Sequence, residues 1–163
     1  MLVVSDTSPV LNLAVIGHLE LLRQQFGEVV FPPAVLEELK VDSDYPGTSQ
    51  IRQAIEDGWL RKMDLKNDQM VRVLKRELDD GEAEAIALAL EMGIEVVLID
   101  ERDGRAAAKA VGLSPIGILG VLLQAKLLGQ IDSLGVILDK LQNDAGFYIN
   151  DRLVKNMLAE AGE

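Results

Sequence analysis

Two aspartates stand directly behind short apolar runs: Asp6 follows LVVS, and Asp100 follows EVVLI. In an open parallel sheet, ligands bind beyond the carboxyl ends of the strands, so an acid placed there points into a binding crevice. Each alone has an ordinary explanation, because Asp often caps the helix that follows a strand. Two on neighbouring strands repel one another unless a cation sits between them, and that favours a functional pair. The chain has no cysteine, and His18 is its only histidine. Disulfides, thiolate metal sites, most zinc chemistry and every Ser-His or Cys-His nucleophile are thereby removed.

Helical geometry sorts the other acids. At about 100° per residue, Val35, Leu36 and Leu39 define an inward stripe that places Glu38 on its border and Glu37 nearly opposite. Glu38 can reach inward, and Glu37 is expected in solvent. In residues 82–92, Ala83, Ile86 and Leu90 mark an inner face with Glu82 on it, while Glu84 and Glu91 share the solvent face. Glu82 also has a bland reading, as an acid favoured by the dipole in a helix's first turn.

The elements that must position these acids alternate between β-rich runs and helical stretches, the signature of a parallel sheet with crossover helices. Strands are expected at residues 2–5, 28–31, 59–63, 95–99 and 113–117, with a last edge strand at 147–149. Ser8 and Pro9 open a helix with Ser8 as its cap, and further helices are expected over 18–26, 49–57, 67–78 and 82–92. Pro32-Pro33 starts the helix bearing Glu38, 41–48 is a loop, and Asp79-Asp80-Gly81 reads as a turn. Another helix runs from Asp100 to about Val111, helices follow over 118–128 and 133–141, and Asn150 caps a terminal one. The expected fold is a single α/β domain over residues 1–163, three-layer α/β/α with a central parallel sheet.

Composition agrees with one domain of ordinary size, 48% apolar, with no run long enough to span a membrane. The start MLVVSDTSP lacks the basic and apolar regions of a signal peptide, and the absence of cysteine fits a reducing cytoplasm. Acidic residues outnumber basic ones by 27 to 16, for a formal charge of −11. Nucleic acid will not be held by bulk charge, so any such activity rests on local cations or bound metal. The same acidity suits a basic protein partner or plain solubility.

The runs VVSDTSPVLNL, PPAVLEEL, GEAEAIALALEMG and VVLIDERDGR together resemble the successive motifs of PIN-domain ribonucleases, many of which are VapC-type toxins of toxin–antitoxin pairs. The terminal GFYINDRL is similar to a less characterised PIN-like subgroup. The resemblance implies a small parallel sheet with an acidic metal site, Asp6, Glu38, Glu82 and Asp100 being the matching residues and Asp103 a further outer contributor. Glu82 stands where Asp is commoner, which changes the reach of that carboxylate. The hydroxyl of Thr7 or Ser8 would line the site. Mg2+ or Mn2+ suits such oxygen donors, and a bound ion would activate water and neutralise phosphate charge. An RNA substrate, a small antitoxin and a homodimer are implied as partners, with residues 118–128 and 136–141 as dimer surfaces that core burial explains equally well.

Arg102 and Arg105 are the candidate substrate-binding cations, with Arg72, Lys75 and Arg76 on a helix leading to the site. For each, an ordinary solvated charge is the competing reading. Trp59, Phe147 and Tyr148 read as apolar packing. Phosphate-transfer domains of the receiver or haloacid-dehalogenase kind want an acid pair or Asp-x-Asp, which DTSP lacks, and no GxGxxG or GxxxxGK[ST] loop exists. The serious rival is a PIN-like fold that has lost cleavage and serves as an RNA-binding or protein-interaction module.

Overall fold

Runs of Val, Ile and Leu bounded by turn residues form the strands, as their branched side chains favour. The computed structural model describes residues 1–163, with β1 at Leu2–Ser5, α1 at Thr7–Val15, α2 at Glu20–Phe26 and β2 at Glu28–Phe31. There follow α3 (Pro33–Leu39), α4 (Thr48–Glu56), β3 (Leu60–Lys62), α5 (Gln69–Leu74) and α6 (Asp80–Met92). The chain ends with β4 (Val96–Leu98), α7 (Arg102–Ala110), β5 (Ser114–Ile116), α8 (Ile118–Leu127), α9 (Leu134–Asn143) and α10 (Asp151–Glu160).

All five strands pair in parallel, in the order β3-β2-β1-β4-β5. Val4 stands opposite Val30 on one side and Val97 on the other. The chain moves outward from β1 through β2 to β3, then returns to lay β4 and β5 on the opposite side. β1 and β4 therefore flank the point where the connections reverse direction, and their carboxyl ends border the crevice where such sheets bind ligands. Asp6 and Asp100 follow these two strands.

Alternation along the strands feeds two cores. Val3, Val29, Phe31 and Leu98 enter the larger, with side chains from α1, α2, α4, α8 and α9. Val4, Val30, Val97 and Ile99 enter the smaller, against α5, α6 and α7. This is the expected three-layer arrangement. No helix is long and apolar enough to cross a membrane.

Several local expectations are corrected. α1 begins at Thr7 with Asp6, not Ser8, at its N-cap. Asp79, Asp80 and Gly81 do not form a turn: Asp79 caps α6, and the other two lie in its first turn. The helix expected over 67–78 shortens to Gln69–Leu74, because the chain tightens at Arg76, whose N–H bonds the Val73 carbonyl three residues back at 3.3 Å. No strand forms at 147–149: the Phe147 N–H bonds the Leu141 carbonyl at 3.1 Å, which seals the end of α9. Tyr148 does not pack, being 83% exposed, whereas Trp59 is buried.

The acids assigned to solvent on α6 have partners too. Glu91 accepts from the Asn67 N–H at 2.8 Å, and Glu84 accepts from the Ala34 N–H at 3.0 Å. Glu84 thus satisfies a donor in the first turn of α3, the helix that carries Glu38. Replacing Glu84 by Ala should cost about 1 kcal/mol in urea denaturation, with Glu84→Gln keeping most of it. Equal stability of the Ala variant and the parent would show that this bond does not brace α3.

Candidate functional site

Asp6 is fixed by the sheet itself. Its N–H continues the β1–β4 ladder to the Leu98 carbonyl at 2.9 Å, and its side chain turns into the crevice at the start of α1. It is only 5% exposed, and its Oδ1 has no hydrogen-bond partner. Burial pushes its carboxyl up to about 7; the Thr7 N–H offsets part of this, while Asp79, Glu82 and Glu38 add repulsion.

Glu82 reaches the same region from the first turn of α6. Its N–H bonds Asp79 Oδ1 at 2.8 Å, and its Oε1 accepts from the Asp79 N–H at 3.2 Å, a reciprocal capping box. That accounts for one oxygen. The other, Oε2, is buried and unpartnered. Burial raises its carboxyl to about 7; the Asp79 N–H works against the shift, and the Asp79 carboxylate and Glu101 reinforce it.

Glu38, an exposed residue, joins from α3, its Oε2 accepting a hydrogen bond from the Thr7 hydroxyl. Gly81 shows where it converges with Asp6. A Cβ built on Gly81 would lie 2.8 Å from Asp6 Oδ1 and 2.8 Å from Glu38 Oε2. The absent side chain is what lets the start of α6 pack against both carboxylates. Gly104 does the same for Glu82, whose Oε2 would lie 2.6 Å from a Cβ there. Glu37 remains in solvent, as expected from its angle on the helix.

Asp100 differs from the other three because both its oxygens are engaged. Oδ2 accepts the Ser8 hydroxyl at 2.8 Å, and Oδ1 accepts the Ile118 N–H at 2.7 Å, at the start of α8. Burial raises its carboxyl, while those two bonds and nearby Arg105 pull it back. Ser8 is therefore a link between α1 and Asp100, and it is itself held by Asn12 at 3.0 Å.

Arg105 is half-buried beside Asp100 and donates to the Ile99 carbonyl at 3.1 Å. Arg102 and Asp103 lie exposed in the first turn of α7, with no side-chain partner that ties them to the crevice. Arg72 and Lys75 are paired with Asp68 and Asp80, each at 3.3 Å. His18 sits half-buried between α1 and α2. Two acids at the site were missed in the sequence. Asp79 was legible as the first member of an Asp-x-x-Glu capping box, whereas nothing in the order of residues marked Glu101, which follows Asp100.

The four acids do not close into one ligand cluster: no group of three or more His, Asp or Glu side chains is arranged to hold a metal ion. What the crevice offers is all-oxygen donors, two of them buried without partners and packed against glycines. That donor chemistry fits a hard divalent cation with water completing its shell.

The DUF3368 family model, described as a PIN domain, matches residues 2–163. No curated protein and no solved structure matches the chain.

The raised carboxyls set a pH dependence for the metal-free protein. Asp6 and Glu82 ionise at about 7 in the fold but near the ordinary carboxylate range when unfolded. Unfolding therefore releases protons between those values, and stability falls as pH rises through that window. Asp6→Asn removes one buried charge, so in urea denaturation it should match the parent at about pH 4 and exceed it by more than about 1 kcal/mol at about pH 8. A variant equally stable, or less stable, at the higher pH would contradict the uncompensated charge.

Proposed function

The chain belongs to the PIN-domain family, a family of nucleases, and on that premise we propose that it is a Mg2+- or Mn2+-dependent endoribonuclease. One observation carries the metal reading: Asp6 Oδ1 and Glu82 Oε2 are buried with no partner at the crevice between β1 and β4. Buried acids left this way are strongly unfavourable unless they are protonated or meet a cation.

In this reading Asp6, Glu38 and Glu82 hold the metal, with Asp100 and Asp103 contributing at its periphery. The bound ion would activate a water and neutralise charge growing on the phosphate. The chain's own residues do the rest. The Thr7 hydroxyl orients Glu38, and Ser8 with the Ile118 N–H orients Asp100. Arg105 and Arg102 supply positive charge for the RNA backbone, which a chain of net charge −11 must provide locally.

The proposal extends to a cytoplasmic toxin half of a toxin–antitoxin pair, supported by the family resemblance of the motifs. For a homodimer, Leu127, Leu128 and Val136 at the ends of α8 and α9 offer exposed apolar surface, whereas Ile118, Leu122 and Leu138 are spent on the core. The competing reading is a non-cleaving module that binds RNA or protein. It is favoured by the absence of a closed three-acid cluster and by Glu82's place in the capping box.

The purified chain with Mn2+ should cleave single-stranded or structured RNA, and EDTA should abolish the activity. Asp6→Asn should lower the rate about a hundredfold or more and shrink the rise in melting temperature that the metal gives the parent. Metal binding without cleavage across varied RNAs would favour the binding module. Normal cleavage by Asp6→Asn would remove Asp6 from the site.

A further inference from the structure

A cleft of about 480 Å3 opens beside the acids, lined by Asp100, Arg105, Gly117, Leu119, Gly120 and Phe147 among others. Asp100, at the end of β4, lines the edge of this cleft. Its volume is that of a small-molecule site.

The lining has two chemical parts. Arg105 enters no ion pair and gives one N–H to the Ile99 carbonyl, leaving others of its five donors free for an anion. Gly117 keeps that cation clear: a Cβ there would lie 3.0 Å from Arg105 Nη1 and 3.1 Å from Asp100 Oδ1. The remainder is apolar. Phe147 is half-buried, and a Cβ on Gly120 would make only an ordinary 3.5 Å contact, so packing does not require a glycine at that wall. A flat apolar group next to an anion is what such a lining fits, and a nucleotide has that form.

We propose that this cleft is a nucleotide subsite, which takes one nucleobase of the RNA against Phe147 and an adjoining phosphate on Arg105. The inference rests on the ribonuclease reading and deepens it by naming a point where substrate is gripped. No amide or hydroxyl side chain lines the cleft, so stacking on Phe147 and charge on Arg105 supply the grip.

The test is an amide NMR titration of the metal-free full chain with uridine and adenosine 5′-monophosphates, and separately with inorganic phosphate. Both nucleotides should shift the Gly117 and Gly120 resonances, and phosphate alone should not reproduce the pattern. Phe147→Leu, which keeps an apolar side chain, should weaken nucleotide binding about tenfold, and Phe147→Tyr should restore it. In cleavage assays Phe147→Leu should raise KM by a similar factor. Identical shifts from phosphate and nucleotide, or unchanged affinity in Phe147→Leu, would overturn the subsite. RNA cleavage with unchanged KM in that variant would retire the subsite alone. Nucleotide binding by a chain that cleaves no RNA would uphold the subsite and retire the ribonuclease reading.

Discussion

An ionised carboxylate inside a protein persists only where hydrogen bonds or an opposite charge replace the water it has lost. At the carboxyl end of β1 this chain buries Asp6 and Glu82 and leaves one oxygen of each without either. The N-termini of α1, capped by Asp6, and of α6, capped by Asp79, supply fixed positive charge, but a helix end is worth only about half a unit. That is too little against Asp6, Glu38 and Glu82 together, with Asp79 adding its own charge. The crevice therefore carries an unmet demand for positive charge, and the functional reading follows from it.

The surrounding structure holds this arrangement in place. Parallel pairing of β1 with β4 brings Asp6 and Asp100 to one crevice, though they are distant in the chain. The capping box at Asp79 and Glu82 stabilises the start of α6 while consuming only one oxygen of Glu82, so the other stays available to the proposed site. Gly81 and Gly104 let α6 and α7 approach the carboxylates to distances that any Cβ would obstruct. Asp100 shows the contrasting solution: its two hydrogen bonds tie α1 and α8 to the end of β4 and largely meet its needs. The four acids thus divide into two with a buried, unpartnered oxygen, the exposed Glu38 beside them, and one that braces the elements around it.

Much of this was legible in the sequence because it is written in short-range periodicity. The apolar runs before Asp6 and Asp100 gave both strands and both crevice acids, and the stripe Val35, Leu36, Leu39 separated Glu38 from Glu37 correctly. Glu82 was placed on a buried face. The misses share a cause, which is that side-chain to backbone bonds override local preference. Ser8 has the chemistry of a cap, yet its hydroxyl goes to Asp100, ninety-two positions away in sequence. Glu84 lies on the outer side of its helix, but an unpaired N–H on α3 captures it. Phe147 and Ile149 alternate like a strand, while no strand edge takes up their backbone. The roles of Gly81, Gly104 and Gly117 were invisible, since a glycine defines space only once its neighbours are placed.

The central claim is that the unpaired oxygens of Asp6 and Glu82 mark a cation site. A crystal soaked in Mn2+ and measured for anomalous scattering tests it most directly. A peak is expected at coordination distance, about 2.1 to 2.2 Å, from Asp6 Oδ1 or Glu82 Oε2. Manganese bound only elsewhere on the surface, with both oxygens still unpartnered, would contradict it.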